Sequence, residues 1–347
     1  MSLLTTRDYY KPFEYPWMYE YYKLQNQMHW MPESVPLHTD VKDWQDISPE
    51  EKHLLTQIFR LFTQSDVDVA SGYIDKYMPI FKKPEARMMM SSFANMESIH
   101  QDAYSLLLDT VGMPEIEYKA FSEYEEMANK HDYVGEFKPL KSDKRTIAKT
   151  LAVYSAFTEG LQLFSSFAIL LNFPRFGKMK GMGQIVTYSI RDESMHVEAM
   201  TKLFREFIQE NIEIWTDDFK AEIYQICREM VELEDKFIDL AFAMGPVEGL
   251  NPDGVPNVLG NYVHPFKFND LKFQGSFLAL RIEGDKLSIE ERIKVLTNEL
   301  ELKNSLINTK LSKLQSQIQP HFLFNALNSI YSLIDISSML LSISCAS

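Results

Sequence analysis

Two short motifs, Glu97-Ser-Ile-His100 and Glu193-Ser-Met-His196, constrain this chain more than any other feature. Residues three apart on an α-helix share a face, so each motif can aim one carboxylate and one imidazole at a single point. One Glu-x-x-His alone most often marks a solvated pair. Two of them in 347 residues, each preceded at a similar separation by an acid within an apolar helical stretch, instead predict four helices whose polar groups converge.

Burial and helical phase pick out the preceding acids. The longest weakly charged stretch, Leu151 to Phe173, carries Glu159 as its single charged residue, together with Gln162, Asn172 and several hydroxyl side chains. It reads as a buried central helix rather than a membrane span. A buried carboxylate costs several kcal/mol unless it is paired or binds a metal. For the other acid, Asp66 and Asp68 compete. Asp66 lines up with Phe59, Phe62, Val69, Ala70 and Tyr73, whereas Asp68 lines up with Gln64, Ser65, Ser71, Gly72 and Asp75, and this phase selects Asp66 as the inward acid. The candidate metal ligands are therefore Asp66, Glu97, His100, Glu159, Glu193 and His196. Four carboxylates and two imidazoles suit a dinuclear iron or manganese centre better than structural zinc, and such a centre can activate O2. Tyr104 lies four residues beyond His100, on the same face.

Composition narrows the partners. A net charge of −14 with no long Lys/Arg run argues against a nucleic-acid backbone. The only two cysteines, Cys227 and Cys345, lie far apart, and the N-terminal MSLLTTRDYY has no basic region followed by an apolar run. The expectation is a reducing, cytoplasmic setting with no membrane anchor.

Start and stop signals then order the helices. Ser48-Pro-Glu-Glu51 offers an N-cap, a proline at the first helical position and a capping-box acid, opening a helix that runs to about Tyr77. Pro84 begins the helix of Glu97 and His100. Further helices are expected over Leu151 to Phe173, Gln184 to Ile212 and Asp218 to Met244, with connecting helices and loops over residues 113 to 144. Residues 246 to 275 are rich in Gly and Pro, a linker signature. Beyond them Ile289, Ile293, Leu296, Leu300, Ile307, Leu311, Leu314 and Ile318 form a short coiled-coil-like seam. The expected fold is all-α: a ferritin-like helical bundle over 1–248, whose known members place ligands in this way, a junction at 249–285, a helical segment at 286–332 and a tail at 333–347.

With these motifs in order, residues 7 to 248 resemble the small (beta, R2) subunit of class I ribonucleotide reductase. In that family the ligands are an acid, Glu-x-x-His, Glu and Glu-x-x-His, matching the six residues above. The resemblance makes Tyr104 the radical-bearing tyrosine and Phe167 an apolar residue shielding it. Trp30, in Trp-Met-Pro-Glu, and Asp192, just before the second motif, match a proton-coupled electron relay. It implies a homodimer whose two-metal centre, most simply two Fe with Mn/Fe or Mn/Mn as alternatives, uses O2 to make a tyrosyl radical. The oxidising equivalent would pass to a separate large (alpha) subunit that makes deoxyribonucleotides. Another ferritin-like oxidase or a metal store would keep the six ligands but needs no Tyr104, Trp30 or Asp192.

After Gly249 the family's pattern stops, without the further helices and docking tail, so weak turnover with a large subunit is expected. Leu314 to Ile330 contains Gln-Pro-His-Phe-Leu-Phe-Asn and resembles the phosphoacceptor region of LytS-type sensor histidine kinases, with His321 as the matching histidine. No ATP-binding region follows it. The chain thus reads as a reductase small subunit joined to a kinase fragment, which leaves a signalling or dimerisation role for the C-terminal segment as a further reading.

Overall fold

The computed structural model describes residues 2–251 and the short stretch His264–Pro265. Helix α1 (Pro16–Gln27) is followed by α2 (His38–Asp46), α3 (Pro49–Ser71) and α4 (Pro84–Val111). Next come α5 (Glu125–Gly135), α6 (Lys144–Leu151), α7 (Leu163–Leu170), α8 (Asn172–Arg175), α9 (Lys180–Glu210) and α10 (Asp217–Ala241). Two wide π-helical stretches interrupt this order, Gly72–Tyr77 after α3 and Ala152–Gln162 between α6 and α7. The expected all-α bundle is what forms among the described residues; the only strand pairing there is two residues long, Leu250–Asn251 beside His264–Pro265. No helix among them is long and apolar enough to cross a membrane.

The capping box forms as the sequence predicts: Ser48 accepts from the Glu51 backbone N–H while Glu51 accepts from that of Ser48. Helix α9 begins differently. It carries no capping side chain of its own, and Asp40 from α2 takes the Gly181 and Met182 N–H groups at 2.9 and 2.6 Å. These donors have no partner within the helix, so a buried carboxylate from a distant segment serves as the cap.

Boundaries depart from expectation in two places. The helix expected from Leu151 starts at Lys144, capped by Asp143, and it is not one α-helix. Residues 152–162 wind with five-residue hydrogen bonds, a form found mostly at functional sites. The helix of the second motif starts at Lys180 rather than Gln184. Apart from His264–Pro265, the junction from residue 252, the seam, the helical segment at 286–332, the tail and His321 lie outside the described residues.

Helices α3 and α4 pack on one another, α4 also packs on α1, and Ala152–Gln162 packs between α9 and α10. Their apolar faces build two clusters. One gathers Trp30, Phe62, Tyr104 and Phe167; the other gathers Tyr73, Phe93, Tyr154 and Phe204. Burying each such aromatic removes enough apolar surface to stabilise the fold by about 1.5–3 kcal/mol. The Glu-x-x-His side chains lie where the clusters meet: the His100 ring faces Trp30 at 6.2 Å and the His196 ring faces Phe93 at 4.3 Å.

Candidate metal centre

All six candidate ligands are buried, none more than 3% exposed. Asp66 comes from α3, Glu97 and His100 from α4, Glu159 from the wide stretch, and Glu193 and His196 from α9. Asp68, by contrast, is only half-buried and pairs with His131 at 2.7 Å and Gln64 at 2.9 Å. Asp66 thus faces inward and Asp68 lies nearer the surface, the difference in burial that helical phase predicts.

The distances order the candidates. Glu97 lies 3.4 Å from His100 and 2.9 Å from His196. Glu193 lies 3.1 Å from His100 and 3.4 Å from His196. Both glutamates therefore stand between the two imidazoles. Glu97, Glu159, Glu193 and His196 converge closely enough for one ligand atom from each to lie within 4.8 Å of the others. Asp66 is on the His100 side, where it and that imidazole attract.

Both oxygens of Glu97, Asp66 Oδ2, Glu159 Oε2 and Glu193 Oε2 make no hydrogen bond within the protein. A buried carboxylate oxygen without a hydrogen bond is costly, and four carboxylates of this cluster each leave at least one such oxygen. Burial, with neighbouring carboxylates adding to it, pushes Asp66 and Glu159 well above the usual carboxylate range. Burial alone would lower His196, but Glu193 and Glu97 outweigh it and raise the imidazole to about 10. Burial would likewise raise Glu193, yet His100 and His196 hold it down at about 2. The raised Asp66, Glu159 and His196 each favour taking up a proton, which offsets the pocket's negative charge, while Glu193 stays ionised beside the two imidazoles. That is the electrostatic character of a cation site built from oxygen and imidazole donors.

The outer contacts differ between the two histidines. Asp192 Oδ2 lies 3.4 Å from His100 Nε2 and accepts from Trp30 Nε1 at 2.8 Å. Trp30, Asp192 and His100 are thus in one buried line, and Arg191 steadies the other Asp192 oxygen. His196 Nε2 instead meets the Gln25 amide oxygen at 2.9 Å. Tyr104 is buried, with its hydroxyl 3.4 Å from Ser189 and its ring 4.9 Å from Phe62, which in turn packs at 5.5 Å on Phe167. Burial foremost, and then Asp66, keeps the Tyr104 phenol protonated.

Sequence reasoning missed two neighbours of the cluster. Gln25 lies on a different helix from His196, and nothing local marks it. Tyr73 donates to Glu159 Oε1 at 2.7 Å, and its place on the Asp66 face was the available signal.

Over most of the chain, comparison with known proteins points to one family. A model described as "Ribonucleotide reductase, small chain" matches residues 7–260, running past Gly249, where the recognisable motifs end. A second, "Histidine kinase", matches residues 309–344, over the segment that holds His321. The chain is 48% identical over 270 residues to the probable ribonucleoside-diphosphate reductase small subunit 376L of Invertebrate iridescent virus 6, covering 73% of this chain and 75% of that one. It is 26% identical over 239 residues to the ribonucleoside-diphosphate reductase subunit beta of Chlamydia pneumoniae, covering 65% and 69%. A solved structure of a putative class I ribonucleotide reductase from Bacillus halodurans superposes with a TM-score of 0.63 at 21% identity, covering 69% of this chain and 86% of that one. The dimanganese(II)-NrdF of Streptococcus sanguinis gives 0.62 at 19% identity, covering 69% and 84%. At such identities the structures speak for a shared fold alone.

Proposed function

The chain belongs to the ribonucleotide reductase small-chain family, and from that premise we propose that residues 1–248 act as the small subunit of a ribonucleoside-diphosphate reductase. In this reading Asp66, Glu97, His100, Glu159, Glu193 and His196 hold a dinuclear metal centre, Tyr104 stores a radical, and a separate large subunit uses it to make deoxyribonucleotides. The observation that carries the reading is the buried set of carboxylate oxygens without hydrogen bonds, gathered around two imidazoles. Hard, oxygen-rich donors fit iron or manganese.

Glu97 and Glu193, each close to both histidines, would hold the metal together with Asp66, His100, Glu159 and His196. When bound, the metal pair supplies the means of reducing O2 and thereby oxidising a nearby phenol. The protein's own part is to hold Tyr104 in a dry aromatic setting, where Phe62 and Phe167 exclude water. Ser189 gives its hydroxyl a neutral partner. Asp192 links the Trp30 indole to His100 and so offers a proton acceptor beside an oxidisable ring, the arrangement a proton-coupled relay needs. Gln25 orients His196, as outer partners of a metal-binding imidazole do.

We take iron as the metal, with manganese the alternative, a homodimer as the assembly and the cytoplasm as its compartment. The test is metal analysis with electron paramagnetic resonance on the intact chain after iron and O2 are added. A tyrosyl signal in the native chain is expected, and Tyr104→Phe should abolish it or replace it with a spectrum of different hyperfine pattern while metal stays bound; an unchanged spectrum in that variant refutes the assignment. For residues 286–332 the histidine-kinase match favours a second reading, a phosphoacceptor segment. Phosphate transfer to His321 from an added kinase catalytic domain is its measurement, and absence of label counts against it.

A further inference from the structure

Tyr104 is not the only buried phenol at the ligand cluster. Tyr73 is 1% exposed, sits in the wide turn after α3 and shares the face of Asp66 two turns earlier. Its ring lies 6.0 Å from that of His196 and 5.8 Å from that of Phe93. The two phenols attend different ligands, Tyr104 facing Asp66 and His100, Tyr73 facing Glu159.

Their hydroxyls also differ in what they can do with a proton. A phenol that loses one electron must also release its proton to become a neutral radical, and proton transfer needs an acceptor within roughly 2.6–3.2 Å. Tyr73 has one: it donates to the Glu159 carboxylate at 2.7 Å. Two more buried tyrosines continue outward, with ring centroids at 5.7 Å from Tyr73 to Tyr77 and 6.4 Å from Tyr77 to Tyr154. These donate only to backbone carbonyls, of Thr150 and Val134, which are poor bases. The geometry therefore singles out Tyr73 within the row. The close seat of Tyr154 depends on Gly72, where a Cβ would come within 2.8 Å of the Tyr154 ring.

We propose that Tyr73 is a second oxidisable phenol of this centre, giving one electron to the O2-driven oxidation and its proton to Glu159 Oε1 when Tyr104 cannot supply the electron. The O–H bond breaks, Glu159 gains the proton, and the electron goes to the oxidant derived from O2, leaving a neutral Tyr73 radical. This rests on the reading of the six ligands as a metal centre. A merely structural Tyr73 would orient Glu159 and leave no radical.

The experiment uses the full chain with Tyr104→Phe, loaded with ferrous iron, mixed with O2 and frozen within seconds for electron paramagnetic resonance. A tyrosyl signal is expected there, lost in Tyr104→Phe/Tyr73→Phe and kept in Tyr104→Phe/Tyr77→Phe. Because removing the Tyr73 hydroxyl could disturb Glu159, a second sample keeps it: 3-fluorotyrosine placed at position 73 in the Tyr104→Phe chain. A fluorine splitting then identifies the radical, and a signal without that splitting overturns the proposal. No signal in Tyr104→Phe, while the native chain shows its own, overturns this inference alone. No radical in the native chain overturns the parent reading with it.

Discussion

His100 and His196 hold the same place in two copies of one motif, yet His100 meets a carboxylate, Asp192, and His196 meets a carboxamide, Gln25. A carboxylate can accept a proton and joins the imidazole to the Trp30 indole; an amide does neither and only fixes the ring. The aromatic surroundings differ as well, with Trp30 beside His100 and Phe93 beside His196. A repeated motif therefore does not imply repeated chemistry. The difference between the halves is set by single residues outside the motifs, on α1, in the loop after it and at the position just before Glu193.

Substitutions can break or sharpen that contrast. The largest effect belongs to what the halves share: Glu193→Ala removes a carboxylate that approaches both histidines, so metal analysis should find the whole centre depleted, not one side of it. Retention of a full complement would contradict the shared role. Next, Asp192→Asn keeps the shape but loses the proton acceptor, and turnover with a large subunit should fall by roughly 100-fold while the radical still forms. An equal loss of radical and turnover would make Asp192 a structural group instead. On the other side, Gln25→Leu should weaken metal affinity by about 10–100-fold without separating radical yield from turnover; competition with a chelator measures it. If Gln25→Leu reproduced the Asp192→Asn split, the two sides would not differ in kind.

The smallest effects concern how each half's helices begin. Asp40→Ala strips the cap of α9 and leaves buried N–H groups unpaired, a cost of about 1–3 kcal/mol. Ser48→Ala removes a cap at the start of α3, costing about 1 kcal/mol. Urea unfolding of both variants compares them, and a Ser48→Ala loss exceeding that of Asp40→Ala would reverse the ranking.

That pair of caps also shows what could be read from the sequence and what could not. Ser48 and Glu51 act on their own neighbours, so the pattern is local and legible. Asp40 acts on Gly181 and Met182, and no local rule connects them. The same division runs through the site. Phase distinguished Asp66 from Asp68, and an apolar setting promoted Glu159, because both arguments need only neighbouring residues. Gln25 was invisible because its partner lies on another helix. Tyr73 stood on the face that selected Asp66 but passed for core, since a tyrosine on an apolar face is ordinary until its hydroxyl is found against a carboxylate. The start of the Glu159 helix was missed by a full turn and more, because Lys144 to Thr150 is amphipathic and the apolar run begins only at Leu151.

The winding of Ala152–Gln162 bears on any attempt to graft this centre onto another scaffold. A straight α-helical template could accept the same residues in the same order and still fail, because closing its hydrogen bonds at four-residue spacing would rotate Glu159 away from the other five side chains. Tyr73, which reaches Glu159 from a second wide turn, would lose its contact as well. A successful transplant must therefore copy two local windings as a matched pair, and a library that varies side chains on a regular helix would search a space that does not contain the answer.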